Sequence, residues 1–184
     1  METIVAVQLA SGFEEIEAVS IIDVLRRAGI ETITVSVTGN YEVKGAHGIK
    51  ITADKLFEEV NFDKLGMIVL PGGMPGAANL KNHPGLRDQI IKYNKAGKPL
   101  GAICAAPMVF GNLGILKNKN ATCFPGFEDE LIGARTTGAE VEVSGKIITG
   151  KGPGVAIKFA LEIVRELKSK SLAEKIAKEM ILVS

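Results

Sequence analysis

Among the side chains able to act as a nucleophile or carry a proton, Cys104 has the most informative setting. It ends the apolar run LGAIC and is followed at once by AAPMVFGN, which reads as a helix, so its sulfur is expected at a strand-to-helix turn. The small neighbours Ala102, Ala105 and Ala106 permit a cramped turn of the nucleophile-elbow kind. A helix N-terminus also offers unpaired backbone N–H groups and a partial positive charge, which favour thiolate over thiol. An ordinary cysteine titrates near about 8.5, and such surroundings bring it to roughly 3.5–7.5. An inert cysteine packed in a core strand accounts for the same spacing equally well.

Glu17 is the second residue of interest. At about 100° per residue, Ser20, Asp23, Arg26 and Arg27 share the polar side of the first helical segment, whereas Glu17 falls on the other side, between Val24 and Ala28. A carboxylate on the stripe facing a sheet must be paired or take up a proton. In its neutral form it can donate a hydrogen bond to a nearby thiolate. The alternative is a residue at the border of the stripe whose flexible stem reaches water. Glu14 projects to the same side but lies in the first turn, where partial solvation and the helix dipole favour its charge.

Supporting groups are fewer. Gly72 and Gly73 in LPGGMPGAANL can present bare N–H groups to an oxyanion or a small acid. Gly150 to Gly154, GKGPG, lacks the Lys-Ser/Thr ending of a phosphate loop. His47 falls in a hairpin and His83 just before Pro84, so surface or helix-entry roles are expected for both. Cys123, in ATCF, reads as a packed strand cysteine that is also available as a resolving thiol. Two cysteines nineteen residues apart and two lone histidines suit no zinc ligand set, and neither a metal nor another cofactor is expected.

The elements that must position these residues alternate. Thr3 to Ala10 reads as a strand, Glu14 to Ala28 as a helix ended by Gly29, and Glu31 to Val37 as a strand. YEVKGAHGIKITAD carries two short β patterns, and GMIVLPGG is a buried strand entering a glycine turn. A helix from about Pro84 to Ala96, the strand PLGAIC and the helix AAPMVFGNL follow. Beyond Ala121 to Cys123 come a hairpin around Ser144 and Gly145 and helices over about Val155 to Lys168 and Leu172 to Met180. Such alternation argues for an α/β fold with a mostly parallel sheet covered on both faces, whose ligands bind at the carboxyl ends of the strands.

Composition excludes several function classes. A chain of 184 residues, 46% apolar, is long enough for one compact domain with a full core, and no repeat or linker divides it. With 22 Lys and Arg against 21 Asp and Glu, the net charge of +1 gives no reason to expect nucleic acid or anionic lipid as a partner. The most apolar stretch, LGAICAAPMVFGNLGIL, holds three glycines and a proline and does not read as a membrane span. A cytoplasmic location is expected.

GFEEIEA, VLRRAGI, LPGG, AICAAP and GPGVAIKFALEIV together resemble the ThiJ/PfpI family, and in particular its branch containing the parkinsonism-associated protein deglycase. The resemblance spans essentially the whole chain, with the motifs in the same order. It implies a flavodoxin-like α/β/α three-layer sandwich and a homodimer. It also implies that Cys104 is the reactive elbow cysteine, that Glu17 is the acid hydrogen-bonded to it, that the N–H groups of Gly73 and Ala105 form an oxyanion pocket, and that Glu14 lines the same pocket. One departure matters: where the family often places a histidine before a proline, this chain has Phe124. That removes a proton-shuttling imidazole and counts against peptidase or amidase activity. The expected function is cysteine-dependent chemistry on small reactive carbonyls, as in a glyoxalase or protein deglycase acting on aldehydes or glycated adducts. A non-catalytic oxidative-stress sensor or redox-regulated chaperone using the same sulfur is the alternative.

Overall fold

A computed structural model of the chain describes residues 3–182. In chain order the strands are β1 (Ile4–Leu9), β2 (Thr32–Ser36), β3 (Glu42–Lys44), β4 (Lys50–Thr52), β5 (Lys55–Leu56), β6 (Leu65–Leu70), β7 (Leu100–Ile103), β8 (Asn120–Ala121), β9 (Arg135–Thr136), β10 (Val141–Ser144) and β11 (Ile147–Gly150). The helices are α1 (Glu15–Arg27), α2 (Gly76–Asn82), α3 (Pro84–Lys95), α4 (Pro107–Asn112), α5 (Ala156–Leu167) and α6 (Lys170–Glu179). Seven strands form one sheet in the order β10-β11-β7-β6-β1-β2-β5. All its pairings are parallel except β10 with β11, which are joined as a hairpin at the sheet edge.

The layers follow from connection handedness. From β1 the chain crosses through α1 to β2 on one side, and from β6 through α2 and α3 to β7 on the other side. Right-handed crossovers running in opposite directions put their helices on opposite faces. Accordingly α1 lies beside α5 on one face, while α2 contacts α3 and α4 on the other. The result is the expected flavodoxin-like three-layer α/β/α sandwich. Central strands are therefore buried on both faces, so Val5 to Leu9 and Met67 to Leu70 are sealed without polar alternation. On the α5 side the floor of the core is tight: a Cβ on Gly101 would lie 3.0 Å from Met67 Cε and 3.2 Å from the Phe159 ring.

Strand order reverses at β1, whose neighbours are β2 and β6, and such a switch point opens a crevice at the carboxyl ends of the strands. The segments leaving β1, β6 and β7 at that edge carry Glu17, Gly72 and Cys104 respectively.

Differences from the sequence reading are local. Helix α2 was not expected, because GAANLKN is too short to display an amphipathic period. Glu14 is the residue capping α1 rather than its first helical residue. The hairpin expected in YEVKGAHGIKITAD is β3–β4, pairing Glu42 with Thr52 and Lys44 with Lys50. Cys123 is buried as expected but lies beyond β8 rather than within a strand, because β8 pairs with β9 for only two residues. No described helix is long and apolar enough to cross a membrane.

Candidate active site

Cys104 follows β7 directly and has φ +64°, a left-handed conformation that a residue with a side chain rarely adopts. Two strong backbone contacts hold it there. Its N–H donates to Gly150 O at the end of β11 (2.8 Å), and its carbonyl accepts from Phe124 N (2.8 Å). The sulfur therefore projects from a clamped turn at the edge of the sheet and not from the interior of a strand. The backbone N–H groups of Gly73 and Ala105 favour its charged form.

The loop after β6 is shaped around this turn. A Cβ on Gly72 would lie 2.6 Å from Cys104 Cβ and 2.9 Å from Glu17 Oε2, so only glycine lets the three segments approach. Gly73, at φ +84°, would place a Cβ 2.4 Å from Glu14 N. These bare backbones allow reciprocal stitching: Glu14 N donates to Gly72 O (2.9 Å), and Gly72 N donates to Glu17 Oε2 (2.7 Å). The start of α1 is thereby fixed to the end of β6.

Glu17 is fully buried, and its carboxyl interacts with the Cys104 sulfur. Burial pushes the carboxyl up to about 7, against the opposing pull of the Gly72 N–H and the thiol, and Glu14 adds like-charge repulsion. Oε1 meets no partner with full hydrogen-bond geometry. A buried oxygen in that position is stabilised by carrying the proton itself. The thiol differs from the sequence expectation: burial, then the charge of ionised Glu17, push it up, while the N–H groups of Gly73 and Ala105 pull it down. The reason is that α4 starts only at Pro107, leaving two N–H donors, and not a long helix end, to offset desolvation. The groups share protons as a pair. When the carboxyl is neutral its repulsion of a thiolate vanishes; when it is ionised the thiol holds the proton.

The sulfur opens into a cavity of about 450 Å³, whose lining includes Glu14, Phe124, Phe127 and Met74. Glu14, Gly73 and Ala105 thus border the same space as Cys104, with Glu17 behind the sulfur. Phe124 is 43% exposed and packs on Gly152, so the aromatic ring stands at the cavity wall where an imidazole was absent by sequence. A larger groove of about 770 Å³ runs between α5, α6 and Glu140–Val141, but its polar lining is Glu and Lys or Arg side chains with no nucleophile.

One cavity residue, considered from the sequence only as a group that a partner subunit could bring to Cys104, comes from the same chain. His47, expected to be a surface residue, is exposed but also lines the Cys104 cavity. Its ring Nδ1 lies 2.9 Å from Glu15 Oε2 and 3.6 Å from Glu14 Oε2. Glu14, Glu15 and His47 bring one potential ligand atom each within 4.8 Å of one another, the feature of the described residues nearest to a metal-binding set. Glu15 is already committed, since its Oε1 also accepts from His47 N (2.7 Å) and Ile49 N (3.3 Å). Only its tertiary partners reveal His47; no local spacing signals it. His83 stands at a helix entry and caps it, with Nδ1 accepting from Leu86 N at the start of α3 (3.0 Å).

Similar proteins are known. Protein DJ-1 homolog B of Arabidopsis thaliana is 38% identical over 97% of this chain, which spans only 41% of that protein's length. Glutathione-independent glyoxalase DJR-1.2 of Caenorhabditis elegans is 33% identical over 92% of this chain and 90% of its own. The solved structure of oxidized Toxoplasma gondii DJ-1 superposes with a TM-score of 0.93 at 39% identity, covering 97% of this chain and 98% of the other. The model of the DJ-1/PfpI family matches residues 3–166, a span that contains every group gathered around the Cys104 sulfur, and the chain belongs to that family.

Proposed function

We propose that the protein is a cofactor-independent, glyoxalase-like enzyme that uses Cys104 as a nucleophile on small 2-oxoaldehydes or their early glycation adducts. The observation that carries this reading is the burial of the Glu17 carboxyl and the Cys104 side chain together against Gly72, with Cys104, Gly73 and Ala105 bordering one cavity. A relative named as a glutathione-independent glyoxalase supports the same chemistry. The thiolate attacks the aldehyde carbon, and the two N–H groups hold the developing alkoxide. Glu17 takes the proton from that carbon and returns it to the neighbouring one, converting the hemithioacetal to a 2-hydroxyacyl thioester. Water then releases the 2-hydroxy acid. A second copy of the chain is the proposed partner, and a reducing compartment such as the cytoplasm is the proposed location, since Cys104 and Cys123 are both free thiols.

Methylglyoxal consumption with detection of lactate is the test. Wild type is expected to turn over and Cys104→Ser to be inactive; equal rates in the two proteins would exclude the reading. A second reading, reversible or terminal oxidation of Cys104 as a stress signal, is favoured by the same N–H donors and carboxyl, which can hold sulfinate oxygens. Mild peroxide followed by intact-mass measurement separates the two: two oxygens added selectively at Cys104 without aldehyde turnover would favour sensing.

A further inference from the structure

We infer that His47 is a catalytic base of the Cys104 site, activating the water that releases an acyl group from the sulfur. For the natural substrate this deepens the glyoxalase-like reading above, while the hydrolytic step itself concerns any acylated Cys104.

His47 lies in the turn between β3 and β4, far from Cys104 in sequence, yet its side chain lines the cavity into which the sulfur opens. The imidazole is 68% exposed, so water reaches it. Glu17 is differently placed: it is fully buried, and one oxygen is held by Gly72 N. A carboxyl behind the sulfur can move protons on a bound substrate, but it does not meet water at the cavity mouth. Phe124, Phe127, Met74 and Pro153 carry no proton, which leaves His47 and Glu14 as the titratable groups facing that mouth among the described residues.

A carboxylate accepts only, so Glu15 Oε2 takes the Nδ1–H of His47 and the ring keeps a lone pair on Nε2. Glu15 is itself ionised: burial opposes the charge, but the His47 ring and the N–H groups of His47 and Ile49 outweigh it and hold its titration low. The turn is fitted around this carboxylate. A Cβ on Gly45 would lie 2.3 Å from Glu15 Oε1, so glycine is required there. Ala46 N donates to Phe13 O, and Gly12 N donates to Lys44 O, both at 2.8 Å, which ties the turn to the loop preceding α1. The imidazole is thus carried on a braced turn and aligned by a buried acid, the arrangement a general base needs.

The step balances simply. The water oxygen bonds to the acyl carbon, and its proton passes to His47 Nε2. The carbon–sulfur bond breaks with its electron pair going to Cys104, and the carboxylic acid leaves. The imidazolium then returns its proton to solvent. Glu15, by hydrogen bond, and then Glu14 and Glu15, by charge, raise the titration of His47 above its ordinary value, so its base form grows in as pH rises through that raised midpoint. Across the cavity the other titratable groups are Cys104, blocked in the acyl-enzyme, and Glu17 behind it.

The experiment isolates deacylation. Cys104 is acetylated with p-nitrophenyl acetate, excess ester is removed, and loss of the acetyl group is followed by intact mass against pH. His47→Gln is expected to slow deacetylation by about 10²–10³-fold while changing acetylation little, and to lose the rise with pH seen in wild type. Added imidazole is expected to restore part of the rate in His47→Ala. Deacetylation of His47→Gln within a few fold of wild type would overturn the inference and leave Glu14 or water alone as the agent. Equal slowing of acetylation and deacetylation would also overturn it, by placing His47 at the sulfur and not at the water. An ester that never acylates Cys104 would overturn this inference and leave the glyoxalase reading to the methylglyoxal assay. Normal deacetylation without methylglyoxal turnover would remove only the glyoxalase reading.

Discussion

Glu17 and Cys104 form a pair in which each group's charge depends on the other's, so changing the carboxyl must move the thiol. Glu17→Gln removes the charge that raises Cys104 yet keeps an N–H donor. The thiol is therefore expected to titrate at lower pH than in wild type, while turnover falls by at least about 10²-fold because an amide cannot relay protons. Ultraviolet thiolate absorbance against pH reads the first effect; an unchanged curve would show that the two groups are not coupled. The same residue sets a stability signature. In the unfolded chain its carboxyl ionises near 4.5, and in the folded protein at about 7. Between these values the folded state binds the extra proton, so Glu17 lowers stability progressively as pH rises through this window and the loss levels off above it. Glu17→Gln should remove that component of the slope in urea unfolding midpoints measured from pH 4 to pH 8, and retention of the full slope would assign it to another group.

Elements reach the site with unequal legibility. Helix α1 shows Glu17 on its apolar face through periodicity, because buried positions Ala18, Ile21, Val24 and Leu25 repeat at helical spacing. The Cys104 elbow is legible through an apolar strand that ends directly in a small-residue helix start. The Glu15–His47 bond was not legible, since it joins residues 32 apart through a turn whose position only the β3–β4 hairpin fixes. The rise of the thiol was also hidden: spacing predicts the helix end nearby but not how completely the sulfur is covered. Strand β1 holds another feature visible only in three dimensions. Gln8 is fully buried opposite Val35 of β2, and neither amide atom has a partner among the described residues. An unsatisfied buried amide costs about 1–3 kcal/mol. Gln8→Met, of similar volume, is expected to raise stability by about 1 kcal/mol or more, and a lower urea midpoint would show that the amide is satisfied in solution.

At the scale of the whole molecule, the crevice and the surface beside it belong to one construction. Ile16 and Val19 stand on α1, one turn apart, 59% and 50% exposed, and Ile49 on the attached hairpin is 59% exposed. Glu15 binds the N–H of Ile49 and so fixes the hairpin against α1, and Ile16 also borders the cavity. Water left against large aliphatic groups clustered this way favours their burial. The near-zero net charge offers little repulsion to oppose it. A second copy meeting this patch would stand at the mouth of the cavity, coupling assembly to access. Val19→Asp tests the coupling without altering a residue that lines the Cys104 cavity, since Val19 faces the α1–β4 side near Ile51. Sedimentation velocity over a dilution series is expected to show a wild-type dimer at micromolar concentration and a variant whose dissociation constant is at least about 10²-fold higher, the effect of burying one unpaired charge. If the patch is the interface, aldehyde turnover of the variant becomes dependent on protein concentration where that of wild type is not. A wild-type chain that sediments as a monomer throughout, or a variant that dimerises equally well, would place the contact elsewhere and separate assembly from the Cys104 site.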